Sequence, residues 1–158
     1  MTMLRTLHDG FGQVAVKLNN LFRAELTLGV RLLALDADGR VFLVRHSYIS
    51  GLHLPGGAVD LGETCAEAAT REAAEEGNLL LSGPPSLFHV YWNPTPARRD
   101  HIVFFVARGV RQSAPRPASL EIVGSGFHAP DALPADTTES TRTRLAEVLG
   151  GAPPSDLW

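Results

Sequence analysis

The chain has 158 residues, of which 44% are hydrophobic and 20% charged, the proportions of one globular domain with a sizeable core. A formal net charge of −3 excludes the broad basic surface that binding a nucleic-acid backbone demands, and no apolar run approaches the ~20 residues of a membrane span. One cysteine, Cys65, excludes an internal disulfide, so the expected compartment is a reducing cytoplasm.

Taken in chain order, residues 1–25 carry no charged n-region followed by a long apolar stretch and a cleavage site. Within them Val14, Leu18, Leu21 and Phe22 follow a helix-like spacing, which predicts an N-terminal helical extension ahead of the main domain at 26–150. Residues 26–35 and 41–45 read as strands joined by a hairpin turn at Asp36-Ala37-Asp38-Gly39. Leu54-Pro55-Gly56-Gly57 reads as an apolar strand end and then two glycines that let the backbone turn sharply. Thr64 with Glu67 three residues on is a capping-box pattern, so a helix should begin at Cys65. Its interior is rich in alanine and glutamate, and Gly77 and Asn78 suit the left-handed conformation that stops it. Leu79–Leu81 and Ser86–Trp92 read as extended chain broken by Gly83-Pro84-Pro85. His101–Ala107 is the most apolar stretch and predicts a central strand; Ser119–Phe127 predicts another strand, Ser140–Leu149 a closing helix, and 151–158 a flexible tail. This order allows an α/β fold of α/β/α layers around a mixed sheet.

The predicted helix carries the chemistry. Glu72, Glu75 and Glu76 lie within five positions, and Glu63 lies nine residues upstream of Glu72. At about 100° per residue, positions 72 and 76 nearly eclipse and 75 lies close by, so three like charges share one face and repel. Residues 64–79 hold one base, Arg71, which leaves a divalent cation as the natural partner, because hard cations take oxygen ligands and keep positions for phosphate and water. A surface helix with an accidental acidic patch is the plain alternative.

Residues 57–79 resemble the Nudix hydrolases, whose pattern is G-x5-E-x7-R-E-U-x-E-E-x-G-U with U a bulky aliphatic residue. Gly57, Glu63, Arg71, Glu72, Glu75, Glu76 and Leu79 fall in register; Ala73 replaces a bulky aliphatic and Asn78 the last glycine. The resemblance implies an α/β/α sandwich and a metal-dependent hydrolase that cleaves a phosphoanhydride in a nucleoside diphosphate linked to a group X. It implies magnesium or manganese as cofactor, held by Glu72, Glu75, Glu76 and the Gly57 carbonyl, with Arg71 pairing Glu63 or Glu75 and Glu63 in a structural role. Glu121, before Ile122-Val123-Gly124, resembles a late-strand glutamate that some relatives use as an extra ligand or general base; an exposed strand-end carboxylate is the alternative. Arg45, at the end of the second strand, and Arg99, before the central strand, are candidates for phosphate or ribose contacts, against the alternative of solvated charges. His53 is expected as a loop or strand residue and not a ligand, since carboxylates rather than imidazoles suit magnesium. Tyr91 and Trp92 are expected to pack rather than stack on a base.

Pro94, 15 residues after Leu79, resembles a proline of some ADP-ribose-cleaving relatives. It tilts the expected substrate toward ADP-ribose or a nucleotide sugar, with nucleoside triphosphates or dinucleoside polyphosphates next. The rival class is a non-catalytic module of the same fold that senses a nucleotide; loss of box carboxylates would mark it, and all four remain. The expected partner is therefore a nucleotide-type small molecule, with no nucleic acid and no membrane, and the family makes a homodimer a candidate state.

Overall fold

A computed structural model describes residues 26–95 and 98–158. The elements in chain order are β1 (Leu26–Ala34), β2 (Val41–His46), α1 (Cys65–Gly77), β3 (Leu79–Leu80), β4 (Ser86–Thr95), β5 (Arg98–Ala107), β6 (Arg111–Gln112), β7 (Ile122–His128) and α2 (Glu139–Gly150). The expected helix over 13–25 lies outside the described residues. β5 is flanked by β1, parallel to it, and β4, antiparallel; β2 pairs antiparallel with β7.

The loop at 52–59 joins these two sheets. On one side Val30 N donates to Gly57 O (2.8 Å), Leu32 N to Pro55 O (2.9 Å) and Val59 N to Leu28 O (3.1 Å). On the other, Val44 and His53 exchange both backbone hydrogen bonds at 2.9 Å. The glycine turn is thus the seam between the mixed sheet β1–β5–β4 and the β2–β7 pair.

Strand periodicity sorts the core into two halves, because successive side chains point to opposite faces. Val30, Leu32, Phe42, Val44, Val103 and Phe105 pack against Ala68, Ala69 and Ala73 of α1. Leu33, Leu35, Val41, Leu43, Tyr91 and Phe104 pack on the other side with Leu145 of α2. The three alanines let α1 approach the sheet closely, which is where its carboxylates are needed. This is the α/β/α sandwich with a mixed sheet.

Three details depart from the sequence reading. The strand expected from Ser119 starts at Ile122, because Ser119 and Ile122 close a turn (Ser119 N to Ile122 O, 2.7 Å; Ile122 N to Ser119 Oγ, 3.0 Å). β3 falls in the stretch read as extended, but its two-residue partner β6 is too short to leave a period-2 pattern. Residues 151–158, expected as a flexible tail, dock with their last three residues on β4: Trp92 N donates to Asp156 O (2.8 Å), Trp158 N to Trp92 O (3.0 Å), and the Trp158 ring meets Tyr91 edge-on at 5.4 Å. Among the described residues no helix is long and apolar enough to cross a membrane.

Candidate active site

The site forms where the glycine turn meets α1. Thr64 and Glu67 make the full reciprocal cap: Thr64 N donates to Glu67 Oε2 (2.8 Å) and Glu67 N to Thr64 Oγ1 (3.2 Å). At the other end Asn78 takes a left-handed φ of 51° and returns its N–H to Ala74 O (2.9 Å). The helix is thus fixed at both ends, and its carboxylates start from a rigid base.

Two glycines are required on the loop. Gly56 has φ +146°, and a Cβ there would strike the Val30 carbonyl. A Cβ on Gly57 would strike the carboxylate of Glu72, so the bare backbone at 57 is what lets Glu72 sit against it.

Arg71 is the hub of the box. It donates to Glu63 Oε1 (Nε, 2.9 Å) and Oε2 (3.1 Å), to Glu72 Oε1 (2.8 Å), to Glu75 Oε2 (3.2 Å) and to the Ala58 carbonyl (3.0 Å). One planar guanidinium therefore ties loop to helix, a task its fork of donors suits. These hydrogen bonds hold Glu63 below the usual carboxylate range and push the Arg71 pKa up.

Glu72 and Glu76 behave differently. Burial raises Glu72, opposed by its bond to Arg71. Glu76 is buried, accepts from Gly56 N (2.9 Å) and lies 3.4 Å from His46 Nε2. Burial carries its pKa up to about 7 against the pull of the Gly56 N–H and the Arg31 charge. Burial likewise lowers His46, helped by the Arg31 charge.

Arg31 is the residue that the sequence reading missed. It projects from β1, donates to the carbonyls of Gly56 and Leu54, and its charge reaches Glu76 and Glu72. A signal was present: an arginine inside the apolar run GVRLLA must find compensation, since burying an unpaired charge is costly. Arg71 is therefore not the sole cation near the box, and the protein's own arginines already offset part of its charge.

The other candidates fall into place around this centre. Glu121 takes a hydrogen bond from Tyr48 Oη (3.5 Å) while its backbone carbonyl accepts from Ser47 N (2.8 Å). Its charge is felt at Glu76, His46 and Tyr48, so it sits on the same rim. Arg45 pairs with Asp136 at 2.5 Å. His53 Nε2 lies 2.9 Å from Ser50 O, a loop contact. Tyr91 is core. The Arg99 side chain lies outside the described residues.

Among the described residues no three His, Cys, Asp or Glu side chains converge as a ready-made metal cage. What the loop and helix do offer is a set of hard oxygens: the Gly57 carbonyl, the Glu72 carboxylate against it, Glu76 one turn on, and Glu75, which is more than half exposed. That donor set fits magnesium or manganese and suits no soft metal.

The NUDIX domain family model matches residues 25–148. The chain is 29% identical over 128 residues to the Bacillus subtilis (strain 168) protein named "Putative 8-oxo-dGTP diphosphatase", covering 80% of this chain and 82% of that one. It is 33% identical over 75 residues to an ADP-ribose pyrophosphatase of Methanocaldococcus jannaschii, covering 46% of this chain and 44% of that protein. Among solved structures, the MutT NUDIX hydrolase of Burkholderia pseudomallei superposes with a TM-score of 0.67 at 27% identity, over 78% of this chain and 98% of its own. With the box in register, its helix capped at both ends and these relatives on either side, the chain belongs to the Nudix family and is a pyrophosphohydrolase.

Proposed function

We propose that the protein hydrolyses the diphosphate bridge of a nucleoside diphosphate linked to a sugar, ADP-ribose or a nucleotide sugar, with magnesium or manganese. The observation that carries this reading is the placement of Glu72 against Gly57 and of Glu76 on Gly56 N, two carboxylates held at the glycine turn. A divalent ion held by Glu72, Glu75, Glu76 and the Gly57 carbonyl would neutralise phosphate oxygens and acidify the attacking water. The chain's own part is to hold that arrangement still. Arg71 fixes Glu63, Glu72 and Glu75 relative to the loop, and the Gly56 N–H fixes Glu76. Glu121, steadied by the Tyr48 hydroxyl on the rim, takes the proton that the attacking water gives up.

Charge favours two phosphates over three. Among the described residues the arginines around the box are already engaged: Arg31 with backbone carbonyls, Arg45 with Asp136, Arg71 with the box acids and Arg116 with Glu75 O (2.6 Å). A further γ-phosphate would need one of them released. The name of the Bacillus subtilis relative supports a second reading, a nucleoside triphosphate, because that likeness spans more of the chain than the archaeal one. The single cysteine supports action in the cytoplasm.

The test is phosphate release with a coupled phosphatase and magnesium, run on ADP-ribose, a UDP-sugar, ATP and 8-oxo-dGTP. Turnover of the first two is expected. Turnover confined to triphosphates overturns the substrate order, and no magnesium-dependent turnover of any overturns the reading.

A further inference from the structure

Beside the box, a cleft of about 200 Å³ opens over the outer ends of β1, β5 and β4. It is lined by Gly57 and Ala58 at one end and by Thr27, Asn93 and Asp100 at the other, with Ile102 and Arg31 on the same face of the strands. Thr27, Asp100 and Asn93 form one row: in the strand register Thr27 is opposite Asp100, and Asp100 is opposite Asn93. Residues directly opposite one another project to the same face of a sheet, so the row presents a hydroxyl, a carboxylate and an amide side by side.

Two of these groups are unsatisfied. Asp100 Oδ1 and Thr27 Oγ1 are buried and have no hydrogen-bond partner among the described residues. A buried carboxylate oxygen without a donor costs free energy that a core would not carry without compensation. Neither the box chemistry nor the packing of β5 uses them.

We propose that Asp100, supported by Thr27, is a specificity-determining acceptor for the vicinal hydroxyls of the sugar bonded directly to the diphosphate. This rests on the proposed function and names the part of the substrate that the second site reads. The cleft is smaller than the ~300–1,000 Å³ typical of a drug-sized pocket, so it admits one ring rather than a whole nucleotide. Position selects which ring. Thr27 is two residues along β1 from Gly29, which bridges to Ala58 beside the glycine turn, and two residues of strand span roughly 7 Å. A phosphate bound through an ion at the Gly57 carbonyl would therefore have its attached sugar, not the base beyond, over the row. A carboxylate accepts from both hydroxyls of a diol at once, and Ile102, two residues on from Asp100 and so on the same face, meets the C–H face of the ring.

Calorimetric titration with ADP, 2′-deoxy-ADP and ribose 5-phosphate in magnesium tests this apart from turnover. Wild type should bind ADP roughly 10- to 100-fold more tightly than 2′-deoxy-ADP, the worth of a hydrogen bond to a charged group. Asp100→Asn should weaken ADP to the level of the deoxy compound and leave the deoxy compound unchanged. Thr27→Val, which keeps the shape of the row, should narrow the same ratio should the first variant fail to fold. Equal binding of ADP and 2′-deoxy-ADP by wild type, an unchanged ratio in the variants, or no ADP binding overturns the inference. Magnesium-dependent hydrolysis by wild type in the same preparation shows that only the sugar subsite, and not the proposed function, has failed.

Discussion

The molecule contains two arginine–glutamate networks, and they differ in what they leave over. Arg144 and Glu147 on α2 are almost fully buried and 2.9 Å apart. Glu147 also takes the Tyr91 hydroxyl (2.6 Å) and Ser155 N (3.1 Å), while Arg144 lies 4.0 Å from the Tyr91 ring centre and donates to Leu157 O (3.0 Å). Both oxygens of that carboxylate are spent. In the box, Arg71 is over a quarter exposed and serves three glutamates, so Glu72 and Glu75 each keep oxygen lone pairs and Glu76 is held by one backbone N–H. The first network is closed and structural. The second is under-supplied with cations, the condition under which carboxylates can take up a metal.

The comparison breaks most sharply at Glu76→Gln. The variant keeps the shape but not the charge, and kcat should fall at least about 100-fold, the upper range for disturbing even the outer partners of a metal site. Circular dichroism should show an unchanged fold; retained turnover would mean that Glu76 is structural like Glu147. The converse experiment is Glu147→Ala. It strands a buried guanidinium and a buried tyrosine hydroxyl, and should cost about 3–5 kcal/mol in denaturant titration with turnover per folded molecule unchanged.

Arg71→Lys sharpens the contrast at an intermediate scale. The ammonium cannot reproduce the fork, so kcat should drop by roughly 10-fold with a smaller change in KM. The pH dependence of the metal-free protein comes next. Glu76 titrates at about 7 when folded and near 4.5 when unfolded, so the native state binds more protons between those values. Stability in EDTA should therefore be greatest near or below pH 4.5 as far as this group is concerned, and fall as pH rises to about 7. Thermal melts should show that decline, and Glu76→Gln should flatten it. The smallest effect is expected at Asn78→Gly, where the cap prefers glycine but the side chain also donates to Ala114 O (3.3 Å); the melting midpoint should stay within about 2 °C.

Much of this contrast was legible in the residues. The box helix has its expected first residue, Cys65, because Thr64 and Glu67 are local signals that need no tertiary context. The two faces of the sheet were not legible, because β2 and the core of β5 are apolar on both sides and their runs carry no alternation. Arg31 was not legible as part of the site, because its partners Leu54 and Gly56 are more than twenty residues away and only the seam of the sheet brings them together. The clasp of Tyr91, Arg144, Glu147 and Trp158 was missed for the same reason: a short Pro-Pro-Ser tail has no periodicity that reports docking. The row at Thr27, Asn93 and Asp100 depends on strand register, which spacing along the chain does not give.

The seam has a practical outcome. Since the glycine turn is hydrogen-bonded to β1 on one side and β2 on the other, it cannot shift without unzipping the sheet. Heat inactivation and global melting should then be one event, with no warm, folded, dead enzyme between them. Selection for a sturdier loop and selection for a sturdier protein become the same search.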